Sequence, residues 1–483
     1  MFMRMIYDDK LAQAAYLIGC QRTNAAILID PQRDVDRYIQ LAKQNDLKIT
    51  AVAETHIHAD FVSGARELAE QVGAKVYVSD EGGPEWHSEW LERKSGGGSY
   101  DHQRLRDGDK FSVGNIDFNV MHTPGHTPEH IAFLVTDRGA GASEPIGMAT
   151  GDFVFVGDLG RPDLLETAAG QAGVMEAAAR RLFTTVLRLH SVPDFVQVWP
   201  AHGAGSACGK ALGSVPTSTI GYERRFNPAI RAAHSEQNFV DFMLSGQPEP
   251  PLYFANMKRV NKTGPAVLGP LPIPPQINAA DLCRLDSKAV AIIDTRSWDA
   301  FRQGHVPGAL FFPLNRSFNS DAGSMVREDE DIYLIIEPGR VNEAVRDLVR
   351  IGLDRIKGWY PSAEMSAYQT AGGKLAATRE VSIDEADNLL REQRAAVLDV
   401  RRMTEFGEGH IPKAVNIAHT RLASRLAEVP KGKPLLVNCQ GGSRSARSCA
   451  LLQRAGYEVM NLKGGMQAWE AAHKTVAHRT AEV

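Results

Sequence analysis

Three side chains able to bind a metal stand within five residues, in the string Thr55-His56-Ile57-His58-Ala59-Asp60. Imidazole and carboxylate groups are ligands for zinc and iron, and burying three of them together is costly unless something pairs them. More candidates of the same types stand far along the chain. They are His126 in Thr123-Pro124-Gly125-His126, Asp152 in Thr150-Gly151-Asp152, and His202 in Trp199-Pro200-Ala201-His202-Gly203. A different chemistry is suggested near the end, where the apolar run Leu435-Leu436-Val437-Asn438 meets Cys439. The loop Gln440-Gly441-Gly442-Ser443 and Arg444 follow, with a helix expected to start near Ala446. Backbone N–H groups and a helix N-terminus aimed at the sulfur favour thiolate over thiol, and Arg444 adds a fixed positive charge. Gly441 and Gly442 permit the positive φ that such a cradle needs.

The elements that would position these groups are short and alternating. Strands are expected over residues 25–30, 49–53 and 75–78, with helical patterns around Tyr38-Ile39-Leu41-Ala42 and from Gly64 to Leu68. This is the pattern of an α/β layer domain. His56, Asp152 and His202 each follow an apolar segment, which is where loops of such a fold collect a shared site. Between Gln247 and Gln276 stand Pro248, Pro250, Pro251, Pro265, Pro270, Pro272, Pro274 and Pro275. That density excludes a regular helix or central strand, so residues 247–275 read as an extended connector, or else as a long surface loop.

Beyond it the chain repeats itself. Asp294-Thr295-Arg296 and Gly304-His305-Val306-Pro307 match Asp399-Val400-Arg401 and Gly409-His410-Ile411-Pro412 at one offset of 105 residues. Two copies of one α/β fold follow from this. The domains expected are 1–246, a connector over 247–275, a first copy over 276–375 and a second over 376–483.

With 483 residues, the chain is too long for one core and suits about three domains. A net charge of -4 gives no electrostatic reason for nucleic acid as a partner. No apolar run approaches a membrane span, and acidic residues interrupt the N-terminal segment where a signal peptide would be apolar. Cys20, Cys208, Cys283, Cys439 and Cys449 are too few and too scattered for a disulfide scaffold. They point to reduced thiols and a cytoplasmic location.

The series T-H-x-H-x-D, T-P-G-H, T-G-D and P-A-H resembles the metallo-β-lactamase superfamily over roughly residues 10–245. Gly151-Asp152 with Gly160-Arg161-Pro162-Asp163 brings it nearest the persulfide dioxygenase branch. One departure bears on the chemistry. Where the superfamily has a histidine after the aspartate, this chain has Phe61, which cannot ligate a second metal. The resemblance then implies His56, His126 and Asp152 as ligands of one Fe(II) per chain, with zinc as the alternative. Two imidazoles and one carboxylate with open positions are used by non-haem iron oxygenases. His58, Asp60 and His202 would orient ligands or bond the substrate, or else be satisfied relics of a two-metal site. Arg161 and Asp163 would bind carboxylates of a thiol carrier or pair within their loop. Cys208 would relay sulfur or pack as a small hydrophobe.

The segment from roughly 376 to 480 resembles a rhodanese-type sulfurtransferase through Asp399-Val400-Arg401, Gly409-His410-Ile411-Pro412, the Cys439-to-Arg444 spacing and Gly464-Gly465 before Trp469. In the first copy the loop reads Ile335-Ile336-Glu337-Pro338-Gly339-Arg340, so that copy is expected to be catalytically silent. Together the parts resemble persulfide dioxygenase–rhodanese fusions: a metallo-β-lactamase-like αββα sandwich followed by two rhodanese-like α/β domains. The fusion implies glutathione or coenzyme A persulfide and O2 as substrates, and sulfite and thiosulfate as products, in a homo-oligomer. Rival readings are a zinc thioester hydrolase of glyoxalase II type, a sulfurtransferase whose metal domain is only a scaffold, and a sulfur or redox sensor.

Overall fold

The computed structural model describes residues 1–167 and 173–478. It divides into two compact units, Met1–Leu271 with Val349–Gly352, and Pro272–Leu348 with Leu353–Val483.

The first unit is built on two six-stranded sheets. One runs in the order Phe2–Asp8, Gln13–Cys20, Ala25–Ile29, Lys48–Ala53, Lys75–Ser79, His102–Leu105. The other runs Ser218–Thr219, Gln197–Pro200, Gly147–Gly151, Ile131–Asp137, Ile116–His122, Lys110–Val113. The strand Gln13–Cys20 shows why the layers form, because side chains alternate between its two faces. Ala14, Tyr16, Ile18 and Cys20 enter the core between the sheets with Phe118, Phe133 and Trp199. Ala15 and Leu17 face the other way, onto Tyr38 and Ala42 of helix Asp36–Gln44 and Leu68 of helix Ala65–Val72. On the far side of the second sheet, Leu182 and Val186 of helix Met175–Leu187 and Phe239 of helix Glu236–Leu244 close another buried cluster. The result is a helix–sheet–sheet–helix sandwich.

The stretch expected to be an extended connector contains the helix Tyr253–Thr263. Its prolines flank the helix rather than interrupt it: residues 252–264 hold none, and Pro251 precedes the first turn.

In the second unit each copy has a parallel sheet. The first orders Leu310–Phe311, Val290–Asp294, Asp331–Ile336, Ile356–Pro361. The second orders Arg379–Val381, Val459–Leu462, Leu435–Asn438, Ala396–Asp399, Val415–Asn416. The repeated residues do the same work twice. Arg296 pairs with Asp294 and donates to the Gly304 carbonyl at 2.8 Å; Arg401 pairs with Asp399 and donates to the Gly409 carbonyl at 2.5 Å. His305 and His410 stack on Phe301 and Phe406, ring centres 3.9 and 3.8 Å apart. The short helices Trp298–Gln303 and Met403–Glu408, between those marks, are absent from the sequence reading. The helix expected near Ala446 begins earlier, at Ser443, because Gly442 at φ 91° turns the chain into it. No helix among the described residues is long and apolar enough to cross a membrane.

Candidate metal centre and cysteine loop

The strand Lys48–Ala53 delivers a loop that is tied down before it reaches any ligand position. Asp30 accepts hydrogen bonds from the Thr55 backbone N–H at 2.8 Å and its hydroxyl at 2.9 Å. Glu129 accepts from the Ile57 N–H at 2.9 Å. His58 Nε2 lies 3.1 Å from Asp30 and 3.0 Å from Glu54, so this nitrogen is committed to carboxylates. Although burial works against it, Asp30 and Glu54 hold the His58 imidazole well above its usual pKa. His58 is therefore a charged bracket of the loop. The Phe61 ring, fully buried, lies 4.4 Å from it.

His56, His126 and Asp152 come together: one ligand atom from each lies within 4.8 Å of the others. His126 Nδ1 is 3.0 Å from the Arg161 carbonyl, which leaves Nε2 toward Asp152 Oδ2 at 3.4 Å. Thr55 Oγ1 engages His56 Nδ1 at 3.0 Å. Burial, reinforced for His56 by the neighbouring imidazoles, drives His56 well below the usual histidine pKa and lowers His126 as well. Burial would raise the Asp152 carboxyl, but His202 and His126 hold it below the ordinary carboxylate range. Two neutral imidazoles with occupied Nδ1 atoms and an ionised carboxylate suit a divalent metal. Asp152 approaches His126 and His202 at 3.4 and 3.3 Å, longer than good hydrogen bonds. Gly160 closes the floor: a Cβ there would stand 1.8 Å from the Asp152 carbonyl oxygen.

The other candidates fall into distinct places. His202 donates from Nδ1 to the Ala12 carbonyl, 3.0 Å away, and aims Nε2 between Asp152 and Asp60, 3.4 Å from the latter. Asp60, His202 and Cys208 form a second buried group of possible ligands within 4.8 Å. Burial, with Asp152 and Asp60 beside it, pushes the Cys208 thiol well above its usual pKa. Arg161 forks onto Asp163 at 2.8 and 2.6 Å, both buried, and is thus paired within its loop.

Four residues that matter here escaped the sequence reading. His130 is buried with its Nε2 accepting from the Asp152 N–H at 2.9 Å. Burial pushes its pKa down to about 3, so it stays neutral as an acceptor. Asp30 and Glu129, named above, come from remote elements. Asn261, on the helix Tyr253–Thr263, donates to the carbonyls of His58 and Phe61 and accepts from the Ser63 N–H. The His130 position, next to T-P-G-H, was the one usable signal.

In the last copy Cys439 is buried, and its sulfur accepts from the Gly442 N–H at 3.1 Å and the Ser445 hydroxyl at 3.4 Å. Gly465 packs behind the loop at φ 58°, where a Cβ would lie 2.2 Å from the Cys439 carbonyl oxygen. Gln440 accepts at its side chain from Arg401, 3.3 Å away. Arg444, whose fixed charge the sequence places beside the loop, forks onto Glu405 at 2.7 and 2.6 Å. In the first copy Glu337 is exposed and no cysteine stands in the loop. Cys283 lies in the helix Ala279–Arg284, before the first strand of its copy, and Cys449 is buried in the helix Ser443–Arg454.

Comparison with known proteins follows the same division. Residues 8–200 match the metallo-beta-lactamase superfamily, and residues 282–357 and 382–472 each match the rhodanese-like domain. A solved structure described as a metallo-beta-lactamase from Staphylococcus aureus is 41% identical, with TM-score 0.65, covering 75% of this chain and 99% of its own. The mitochondrial persulfide dioxygenase ETHE1 of Bos taurus is 25% identical over 239 residues, 48% of this chain and 78% of that protein. A beta-lactamase hydrolase-like protein of Agrobacterium fabrum is 25% identical over 258 residues, 49% of this chain. The chain spans about half of that relative's length, 54%.

Proposed function

The chain belongs to the metallo-beta-lactamase superfamily and carries two rhodanese-like domains behind that fold, and from this premise we propose that it is a persulfide dioxygenase coupled to a sulfurtransferase. The proposed first reaction is RSSH + O2 + H2O → RSH + H2SO3, with a small thiol such as glutathione or coenzyme A as carrier. In the proposed second, a persulfide loads Cys439 by RSSH + Cys439-SH → RSH + Cys439-SSH, and sulfite then takes the outer sulfur to leave thiosulfate and the free thiol. We further propose the division into 1–246, 247–275, a silent copy over 276–375 and an active copy over 376–483.

One observation carries the dioxygenase reading: two neutral imidazoles and one unneutralised carboxylate converge, while Phe61 takes the place of a ligand for a second metal. His56, His126 and Asp152 would hold one Fe(II), which would offer binding sites for sulfur and O2 and relay to O2 the electrons that the oxidised sulfur gives up. The chain's own residues set the ligands: Thr55, the Arg161 carbonyl and His130 fix the orientations of His56, His126 and the Asp152 backbone. For Cys439, the Gly442 N–H and Ser445 hydroxyl stabilise negative charge on sulfur.

The test is anaerobic metal analysis of the purified chain followed by O2 uptake with glutathione persulfide. About one iron per chain, and uptake lost in His126→Ala but kept in Cys439→Ala, supports the reading. Zinc, no uptake after iron reconstitution, and thioester hydrolysis would replace it with the hydrolase.

A further inference from the structure

The helix Ser443–Arg454, which springs from the cysteine loop, is built into the copy whose corresponding loop has no cysteine. Its Ala446 and Ala450 share a buried apolar cluster with Ile292, Phe301, Phe311 and Ile335. At its far end Arg454 donates to the carbonyls of Ser287 and Val290 at 2.8 and 3.1 Å and pairs with Glu330. Midway stands Arg447, fully buried, with Nε 2.5 Å from Asp321 Oδ2. The same guanidinium donates back to the Ser443 hydroxyl at 2.6 Å and its carbonyl at 3.0 Å, and reaches Asn315 Oδ1 at 3.4 Å. A buried arginine without a carboxylate is strongly destabilising. Here the carboxylate comes from the other copy.

We propose that Asp321 of the copy whose loop lacks a cysteine is a positioning residue for sulfur transfer at Cys439, acting through Arg447 to hold Ser443 and the first helical turn. The inference rests on reading Cys439 as the sulfur carrier. Ser443 directly follows Gly442, whose N–H is 3.1 Å from the sulfur, and Ser445 in the same turn supplies the other donor. A small slip of that turn takes both donors off the sulfur, because hydrogen bonds weaken steeply with distance and angle. The charged groups placed against Asp321 are Arg447 from the helix and His419, 3.6 Å away, from the segment His419–Glu428. Burial pushes the Asp321 carboxyl up to about 7 and His419 down to about 3, so His419 is neutral near pH 7. Protonation of Asp321 releases Arg447 from its ion pair.

The experiment is steady-state transfer of sulfur from thiosulfate to cyanide by the full chain, from pH 6 to 9. Asp321→Asn and Arg447→Lys should each lower kcat by roughly tenfold at pH 8, and the double variant should be no worse than either. Wild type should lose rate as pH falls through about 7, and Asp321→Asn should lack that inflection, since a merely structural loss would scale the whole profile. Ser443→Ala leaves the buried ion pair intact and should lower kcat with little change in KM. A wild-type rate in Ser443→Ala, additive losses in the double variant, or an unchanged inflection in Asp321→Asn would overturn the proposal. No transfer in wild type would instead overturn the reading of Cys439.

Discussion

Asn261 donates hydrogen bonds to the backbone carbonyls of His58 and Phe61, at 2.8 and 2.7 Å. A helix from the proline-rich stretch thereby fastens the loop that carries His56, and the Ser63 N–H closes the bracket onto the Asn261 side-chain Oδ1 at 2.9 Å.

Asn261→Ala should therefore weaken metal retention without removing a ligand. Loss of an orienting partner typically costs roughly tenfold or more in metal affinity. Competition with a chelator, followed by metal analysis, measures it; retention equal to wild type would mean the loop holds itself.

Gly465→Ala should abolish sulfur transfer while leaving O2 uptake intact. The added Cβ would meet the Cys439 and Gln440 carbonyl oxygens at 2.2 and 2.7 Å, on a backbone at φ 58° that disfavours side chains. The two activities, measured on one preparation, separate this local effect from general misfolding.

Glu405→Gln should speed alkylation of Cys439. The Arg444 guanidinium, about a quarter exposed, is released from its carboxylate and its charge becomes available to the thiolate. For so exposed a pair the effect should be about threefold at low salt, and smaller at high salt. Iodoacetamide kinetics at pH 7 read it directly.

His419 sets a pH dependence of stability. Burial, with Arg444 and Arg447 nearby, depresses its folded pKa to about 3 from an ordinary 6.5. The folded state then binds fewer protons than the unfolded state, so the stability is present above pH 6.5 and is lost as pH falls toward 3. At pH 5 the loss should approach about 2 kcal/mol. His419→Gln should flatten that part of the melting-temperature profile between pH 7 and pH 5.

Much of the site was legible because its residues are tied to local grammar. The strand–loop position of His56, the Pro124-Gly125 turn before His126 and the strand end before Asp152 are each visible in a few consecutive residues. The repeat was legible for a similar reason. Asp294 and Arg296, or Asp399 and Arg401, are bonded to each other and to a carbonyl eight residues on, so their spacing is conserved between copies by direct contact. The helix Tyr253–Thr263 was hidden because proline content was read over the whole stretch, whereas helix formation depends on where the prolines fall.

By itself the sequence determined which side chains could hold a metal or carry sulfur, that residue 61 is a phenylalanine with no ligand atom, and that the second half is a duplicated fold. Those properties reside in residue chemistry and short-range spacing. Only the tertiary structure decided that His58 is bracketed by Asp30 and Glu54, that His130 holds the Asp152 backbone, that Glu405 already pairs with Arg444, and that Asp321 meets Arg447. These are pairings between segments distant in sequence, and which buried polar groups meet is set by packing and by the cost of leaving either partner unsatisfied.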